Sequence, residues 1–77
     1  MAELPSVTGQ EAIRVFERFG FEVIRVRSSH HILKKRDHPF LLAVPVHGSK
    51  DLKKGTLKRL IRDSGSTVEQ FVALLRE

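Results

Sequence analysis

Two adjacent histidines, His30 and His31, open the segment HHILKKRDHP, and three consecutive cations follow them at Lys34, Lys35 and Arg36. An imidazole titrates close to neutrality, so it can take or give a proton during the transfer of a phosphate ester. Lysine and arginine nearby can hold the phosphate and offset the charge that develops on it. These residue types in this order permit acid–base chemistry on a phosphate, although a strand histidine beside lysines is more often a surface or packing residue than a catalyst.

Other chemistries fit the same segment less well. The chain has no cysteine, and adjacent strand residues point to opposite faces, so His30 and His31 are poorly placed to bind one metal ion. Ser28 and Ser29 lack both an orienting carboxylate and the G-x-S-x-G context of a serine hydrolase. No glycine-rich segment has P-loop spacing. We therefore expect no metal and no cofactor.

Positive charge is concentrated in the middle of the chain. Between Arg25 and Arg62, eleven lysines and arginines stand against two aspartates, whereas the two ends together carry three cations and seven acids. Such an excess attracts polyanions, although an ordinary solvated surface can have the same composition. There is no Trp or Tyr, and all five Phe occupy core-compatible positions, so RNA recognition would depend on phosphates, 2′-hydroxyls and shape.

The length of 77 residues predicts a single domain over residues 1–77. No apolar run approaches the roughly 20 residues that cross a bilayer, and the segment from Met1 to Pro5 lacks the basic and apolar regions of a signal peptide. The absence of cysteine agrees with a reducing compartment. We therefore expect a cytoplasmic protein without a membrane association.

Three segments have helical periodicity, one near the start of the chain and two near its end. Capping-box pairs mark the starts of the first and third helices, and glycines mark the ends of the first and second. The predicted pairs are Thr8 with Glu11 and Ser66 with Glu69, and the predicted terminators are Gly20 and Gly65.

Three strands are predicted between the first and second helices. FEVIRVR (21–27) and HHILKK (30–35) form a hairpin across the Ser28-Ser29 turn, and FLLAVPVH (40–47) is the third strand. Proline cannot donate to a ladder, so Pro45 places this third strand at a sheet edge or near its own end. The order α-β-β-β-α-α predicts an α+β fold, with helices on one face of a three-stranded antiparallel sheet and the other face free.

Several stretches together resemble the HicA toxins of bacterial type II toxin–antitoxin systems: GFEVIRVRSSHHIL, VPVHGSKDLKKGTLKRLIRDSG and VEQFVALL. The resemblance runs from about Leu4 to Leu75. It implies a double-stranded-RNA-binding-domain-like fold and a metal-independent endoribonuclease that cleaves mRNA. It also implies a HicB-like antitoxin as the protein partner.

The resemblance assigns roles to the histidines. The catalytic histidine of the family's Gly-Ser-His element falls on His30, and His31 is expected to pack or hydrogen-bond on the opposite face. His47, in the Pro-x-His-Gly element, is either a second acid/base group or a hydrogen bonder that fixes its loop, and we favour the latter. The family glycine before Ser-His is Ser28 here. A serine at positive φ costs about 1 kcal/mol, or else the turn takes another type.

Six cations are candidate phosphate contacts, and each can equally be a solvated side chain: Lys34, Lys35, Arg36, Lys53, Lys54 and Lys58. The N–H groups of the second helix, starting near Gly55, also suit a phosphate. Two alternatives to a ribonuclease stay open. One is an inactive RNA-binding module of the same fold, and the other is a chain that acts chiefly as its antitoxin's partner in a repressor complex.

Overall fold

Three helices and three strands follow one another in the order predicted from the sequence. In the computed structural model, which describes residues 3–77, they are α1 (Gly9–Arg18), β1 (Glu22–Arg27), β2 (His30–Lys34), β3 (Leu42–Pro45), α2 (Lys54–Ser64) and α3 (Val68–Leu75). The predicted α+β class and element order are confirmed. Met1 and Ala2 of the predicted domain lie outside the described residues. Within 3–77, no helix is both long enough and apolar enough to cross a membrane.

The start of α3 differs from the prediction by one residue. Its N-cap is Thr67, whose side-chain oxygen accepts the Gln70 N–H at 3.1 Å while Gln70 Oε1 accepts the Thr67 N–H at 2.9 Å. The predicted pair of Ser66 and Glu69 is therefore wrong. Ser66 Oγ lies 2.6 Å from Ser64 Oγ and is engaged with the end of α2 instead. The capping box predicted for α1 is confirmed.

The sheet has the order β1-β2-β3, and both pairings are antiparallel. Arg27 pairs with His30 across the Ser28-Ser29 turn, as the hairpin prediction requires. The register shifts between Val23 and Arg25, so β1 contains a bulge at Ile24. β3 is an edge strand and Pro45 is its last residue, which confirms the prediction made from the proline.

The third strand is shorter at both ends than predicted. Phe40 precedes β3 and is 54% exposed, so it does not join the apolar face of the strand and not all five Phe lie in the core. The Phe40 ring meets the edge of the His38 ring at a centroid distance of 6.0 Å. Pairing with β2 begins only at Leu42, because the preceding residues form the loop between the two strands.

The core lies between one face of the sheet and the helices. Leu33, Leu42 and Val44 are completely or almost completely buried, and the rings of Phe16 and Phe71 lie 5.4 Å apart among the helices. Removing such side chains from water is the main favourable contribution to folding. Because the three helices all occupy this side, the opposite face of the sheet stays uncovered.

An N-terminal segment without regular structure completes the core. Leu4 and Val7 are buried, the Val7 carbonyl accepts the Leu52 N–H at 2.7 Å, and Lys54 Nζ donates to the Leu4 carbonyl at 2.8 Å. This segment has neither helical nor strand periodicity, so its sequence pattern does not predict these contacts. It fixes the loop that enters α2.

Candidate active site

His30 is the first residue of β2 and is exposed. Its cross-strand neighbours are Arg27 on β1 and Pro45 on β3, and directly paired residues point to the same face of a sheet. Leu33 and Val44 mark the helix side, so alternation along β2 directs His30 to the uncovered face, which we call the open face. The imidazole can therefore reach a large ligand without any movement of the helices.

At Ser28 the hairpin turn has a backbone conformation that glycine adopts more readily than other residues do. This residue has φ of +57°, whereas Ser29 does not lie at positive φ. Positive φ at only the first central position is the φ pattern of a type II′ turn, which favours glycine there. Ser28 therefore adopts the positive φ at a cost in conformational free energy, and the hairpin does not take a different turn type. The Ser29 carbonyl accepts the Val46 N–H at 2.7 Å, which holds the turn against β3.

Arg25 and Arg27 share the open face with His30, and neither is among the site residues predicted from the sequence. Arg27 pairs with His30 and Arg25 pairs with Ile32, so both guanidinium groups project from the same face as the imidazole. Both arginines are exposed, and within residues 3–77 neither forms a salt bridge. The predicted two-residue turn already implied that Arg27 lies opposite His30, and this was the signal that could have found it.

His47 lies two residues beyond Pro45, the cross-strand partner of His30. A spacing of two returns an extended chain to the same face. Within the described chain the exposed imidazole forms no hydrogen bond, and the His47 carbonyl closes the following turn by accepting the Lys50 N–H at 3.0 Å. The backbone thus performs the loop-fixing role that we had favoured for the side chain.

His31 packs on the helix side, as expected from the alternation. It pairs with Val26 and Val44 and is half-buried. Its Nδ1 atom is buried and has no hydrogen-bond partner among residues 3–77. Of the two structural roles expected for His31, packing is the one that the contacts support.

The predicted cations at the end of β2 lie far from His30. Lys34 is four residues further along the strand, which places it about 13 Å away, and it pairs with Glu22. Lys35 Nζ lies 5.8 Å from the centre of the Phe21 ring, an arrangement typical of a cation–π contact. Arg36 is exposed in the loop that follows.

The predicted cations of α2 belong to the helical side of the molecule. Lys54 is bonded to the N-terminal segment through the Leu4 carbonyl. Lys53 is the N-cap of α2 but makes no side-chain capping bond, and the first turn contains no acidic residue. Lys58 is exposed one turn later. The six predicted phosphate contacts therefore lie in two separate parts of the chain, the end of β2 with the loop after it and the start of α2.

The fourth histidine is engaged in the structure of the loop before β3. His38 Nε2 donates to the Asp63 carbonyl at 2.6 Å, and its ring meets the Phe21 ring in a T-shaped contact at 5.3 Å. His38 thereby connects this loop to the end of α2. Among residues 3–77, no three His, Asp or Glu side chains come together in a group that could hold a metal ion.

Comparison with known proteins identifies a family for this chain. A family model described as the HicA toxin of bacterial toxin–antitoxin systems matches residues 9–66, a range that begins with α1, contains the whole sheet and ends just after α2. A search of curated proteins gives no match. The matched range covers most of the chain and includes His30, Arg25 and Arg27. The chain therefore belongs to the HicA toxin family of bacterial toxin–antitoxin systems.

Proposed function

We propose that this toxin is a metal-independent endoribonuclease that cleaves mRNA, with His30 as an acid/base group. The observation that carries the proposal is the position of His30 on the open face. The imidazole is exposed, it lies opposite the cation of Arg27, and no helix of residues 3–77 covers it.

The proposed reaction needs no external reagent. The 2′-oxygen of a ribose attacks the adjacent phosphorus, a new P–O2′ bond forms, and the P–O5′ bond breaks. One proton leaves the 2′-hydroxyl and one proton reaches the departing 5′-oxygen, so the products are a 2′,3′-cyclic phosphate and a 5′-hydroxyl. His30 performs one of these transfers. His47, two residues past the cross-strand partner of His30, is the candidate for the other.

The remaining cations fit a role in holding RNA away from the cleaved bond. Lys34 and Arg36 are exposed at one end of the sheet, and Lys53 and Lys58 are exposed on α2, so each can contact a phosphate of a long substrate. Lys35 and Lys54 are already engaged within the protein and contribute mainly to its stability. An mRNA substrate implies action in the cytoplasm.

A toxin of this family implies an antitoxin partner. We assign that role to a HicB-like protein that covers the open face and so keeps RNA from His30. The arginines on this face, Arg25 and Arg27, suit a partner protein that presents carboxylates to them.

The test compares wild type, His30→Ala and His31→Leu on end-labelled mRNA in EDTA, with the chemistry of the product ends read directly. We expect wild type and His31→Leu to release 2′,3′-cyclic phosphate and 5′-hydroxyl ends, because residue 31 faces the helices. His30→Ala should bind the RNA but not cleave it. His31→Leu is the matched control, since it removes the neighbouring imidazole from the other face.

Two results would contradict the proposal. Release of 5′-phosphate ends that requires a divalent metal would exclude attack by the 2′-oxygen. Binding without cleavage by the wild type would favour the inactive RNA-binding module, and Ser28→Gly would then show whether the serine of the turn is the cause.

A further inference from the structure

Two arginines that form no salt bridge within residues 3–77 lie in line beside the exposed histidine. Arg25 and Arg27 alternate on β1, so their Cα atoms are about 6.6–6.8 Å apart, which is similar to the separation of successive phosphates in an extended RNA backbone. Glu22 is the only carboxylate in the three strands, and it pairs with Lys34 at the far end of the hairpin. No acidic residue of the sheet therefore neutralises the two guanidinium groups.

We infer that Arg25 and Arg27 form a two-phosphate clamp for single-stranded RNA, in which Arg27 binds the phosphate that is cleaved and Arg25 binds an adjacent one. The identification of the cleaved phosphate rests on the proposed ribonuclease function. The binding of phosphates by the pair does not depend on it.

Arg27 is assigned to the cleaved phosphate because it is the cross-strand partner of His30. Cα atoms of such pairs are about 4.5–5.5 Å apart, so the two side chains can converge on one group. A guanidinium donates two parallel hydrogen bonds to phosphate oxygens. It can therefore stabilise the negative charge that builds on the phosphoryl oxygens while His30 moves a proton.

Arg25 is one step further along β1, opposite Ile32. Its Cα lies about 6.6–6.8 Å from that of Arg27, so it is suitably placed for the next phosphate. In-line attack by a 2′-oxygen requires a backbone that departs from A-form geometry, which indicates a single-stranded substrate.

The test separates binding from chemistry. Binding is measured as a function of salt concentration with a single-stranded RNA oligonucleotide that carries 2′-O-methyl groups throughout and so cannot be cleaved. Cleavage of the unmodified oligonucleotide is measured in single turnovers at saturating protein. The variants are Arg25→Gln, Arg27→Gln and Arg27→Lys, with Arg14→Gln as the matched control, because Arg14 is an exposed arginine of α1 outside the sheet.

We expect each of Arg25→Gln and Arg27→Gln to reduce the slope of log affinity against log salt by about 0.7, the value for one phosphate contact on a single strand. Arg27→Gln should in addition lower the saturating cleavage rate by about 100-fold or more, as the loss of a donor to a developing oxyanion does. Arg27→Lys should restore the slope but only part of the rate, and Arg25→Gln should lower the saturating rate less than Arg27→Gln does. Arg14→Gln should alter neither quantity.

Each part of the inference can fail separately. Unchanged salt slopes in both glutamine variants would overturn the clamp. An unchanged saturating rate in Arg27→Gln would overturn its contact with the cleaved phosphate. Equal affinity for a duplex of the same sequence would overturn the single-stranded substrate. A wild type that binds the probe but cleaves nothing would refute the proposed function, while the salt slopes would still decide whether the arginines bind phosphate.

Discussion

Replacing Ser28 by glycine tests the turn that positions His30. Ser28 has φ of +57°, a conformation that costs a residue with a side chain about 1–2 kcal/mol. Glycine avoids this cost but loses about 0.5–1 kcal/mol more backbone entropy on folding. The net expectation for Ser28→Gly is an increase of about 0.5–1 kcal/mol in the free energy of unfolding.

Thermal unfolding followed by circular dichroism measures this difference. For a chain of this size the increase corresponds to a rise of about 4 °C in the melting temperature. Ser29→Gly is the matched control, because Ser29 does not lie at positive φ and glycine there should lower stability by roughly 0.5–1 kcal/mol. The cleavage rate of Ser28→Gly should stay at the wild-type value, since the serine already adopts the backbone of the turn.

Ser28→Gly should therefore be more stable than Ser29→Gly by the whole cost of the positive φ. A Ser28→Gly variant that loses as much stability as Ser29→Gly would refute the positive φ at residue 28. A stable variant with a much higher cleavage rate would show instead that the serine does displace His30.

Two further substitutions test contacts on the two sides of the sheet. Gly9→Ala should destabilise the protein by about 1–3 kcal/mol, because a Cβ atom there would collide with the Pro45 carbonyl and reach Val46 Cγ2 at 2.9 Å. Urea unfolding measures this loss of stability. Gly55→Ala is the control, because a Cβ atom at residue 55 meets nothing, and an equal loss of stability in that variant would contradict the collision. His31→Leu should leave the free energy of unfolding unchanged or raise it by about 1 kcal/mol, because it removes a buried Nδ1 that has no partner among residues 3–77. A clear loss of stability in the same urea measurement would mean that Nδ1 has a partner in solution.

The helices and the hairpin could be predicted because each has a local signal. Capping residues, helical periodicity and terminal glycines defined α1 and α2, and two serines between β-branched segments defined the hairpin turn. Local signals failed at two places. Ser66 could have capped α3 equally well, but Ser64, at the end of α2, engages it. The Leu4 carbonyl accepts a hydrogen bond from Lys54, a residue distant in sequence.

The candidate site was predicted only in part. His30 was found from its residue type and its resemblance to a family motif, and the structure places it on the open face. The distribution of charge along the chain does not distinguish Arg25 and Arg27 from the other cations, because the effect of a charge depends on which face of the sheet carries it. The lysines next to His30 in sequence were selected instead, although Lys34 lies about 13 Å along the strand.

The bulge at Ile24 decides which surface is charged. With strict alternation, Val23, Arg25 and Arg27 would point to one face, so the valine that packs against the core could not coexist with arginines on the open face. The extra residue reverses the alternation, and Arg25 then pairs with Ile32 rather than with a core position. Loss of one residue from β1 would therefore turn both arginines to the helix side of the sheet, with no change in any residue type.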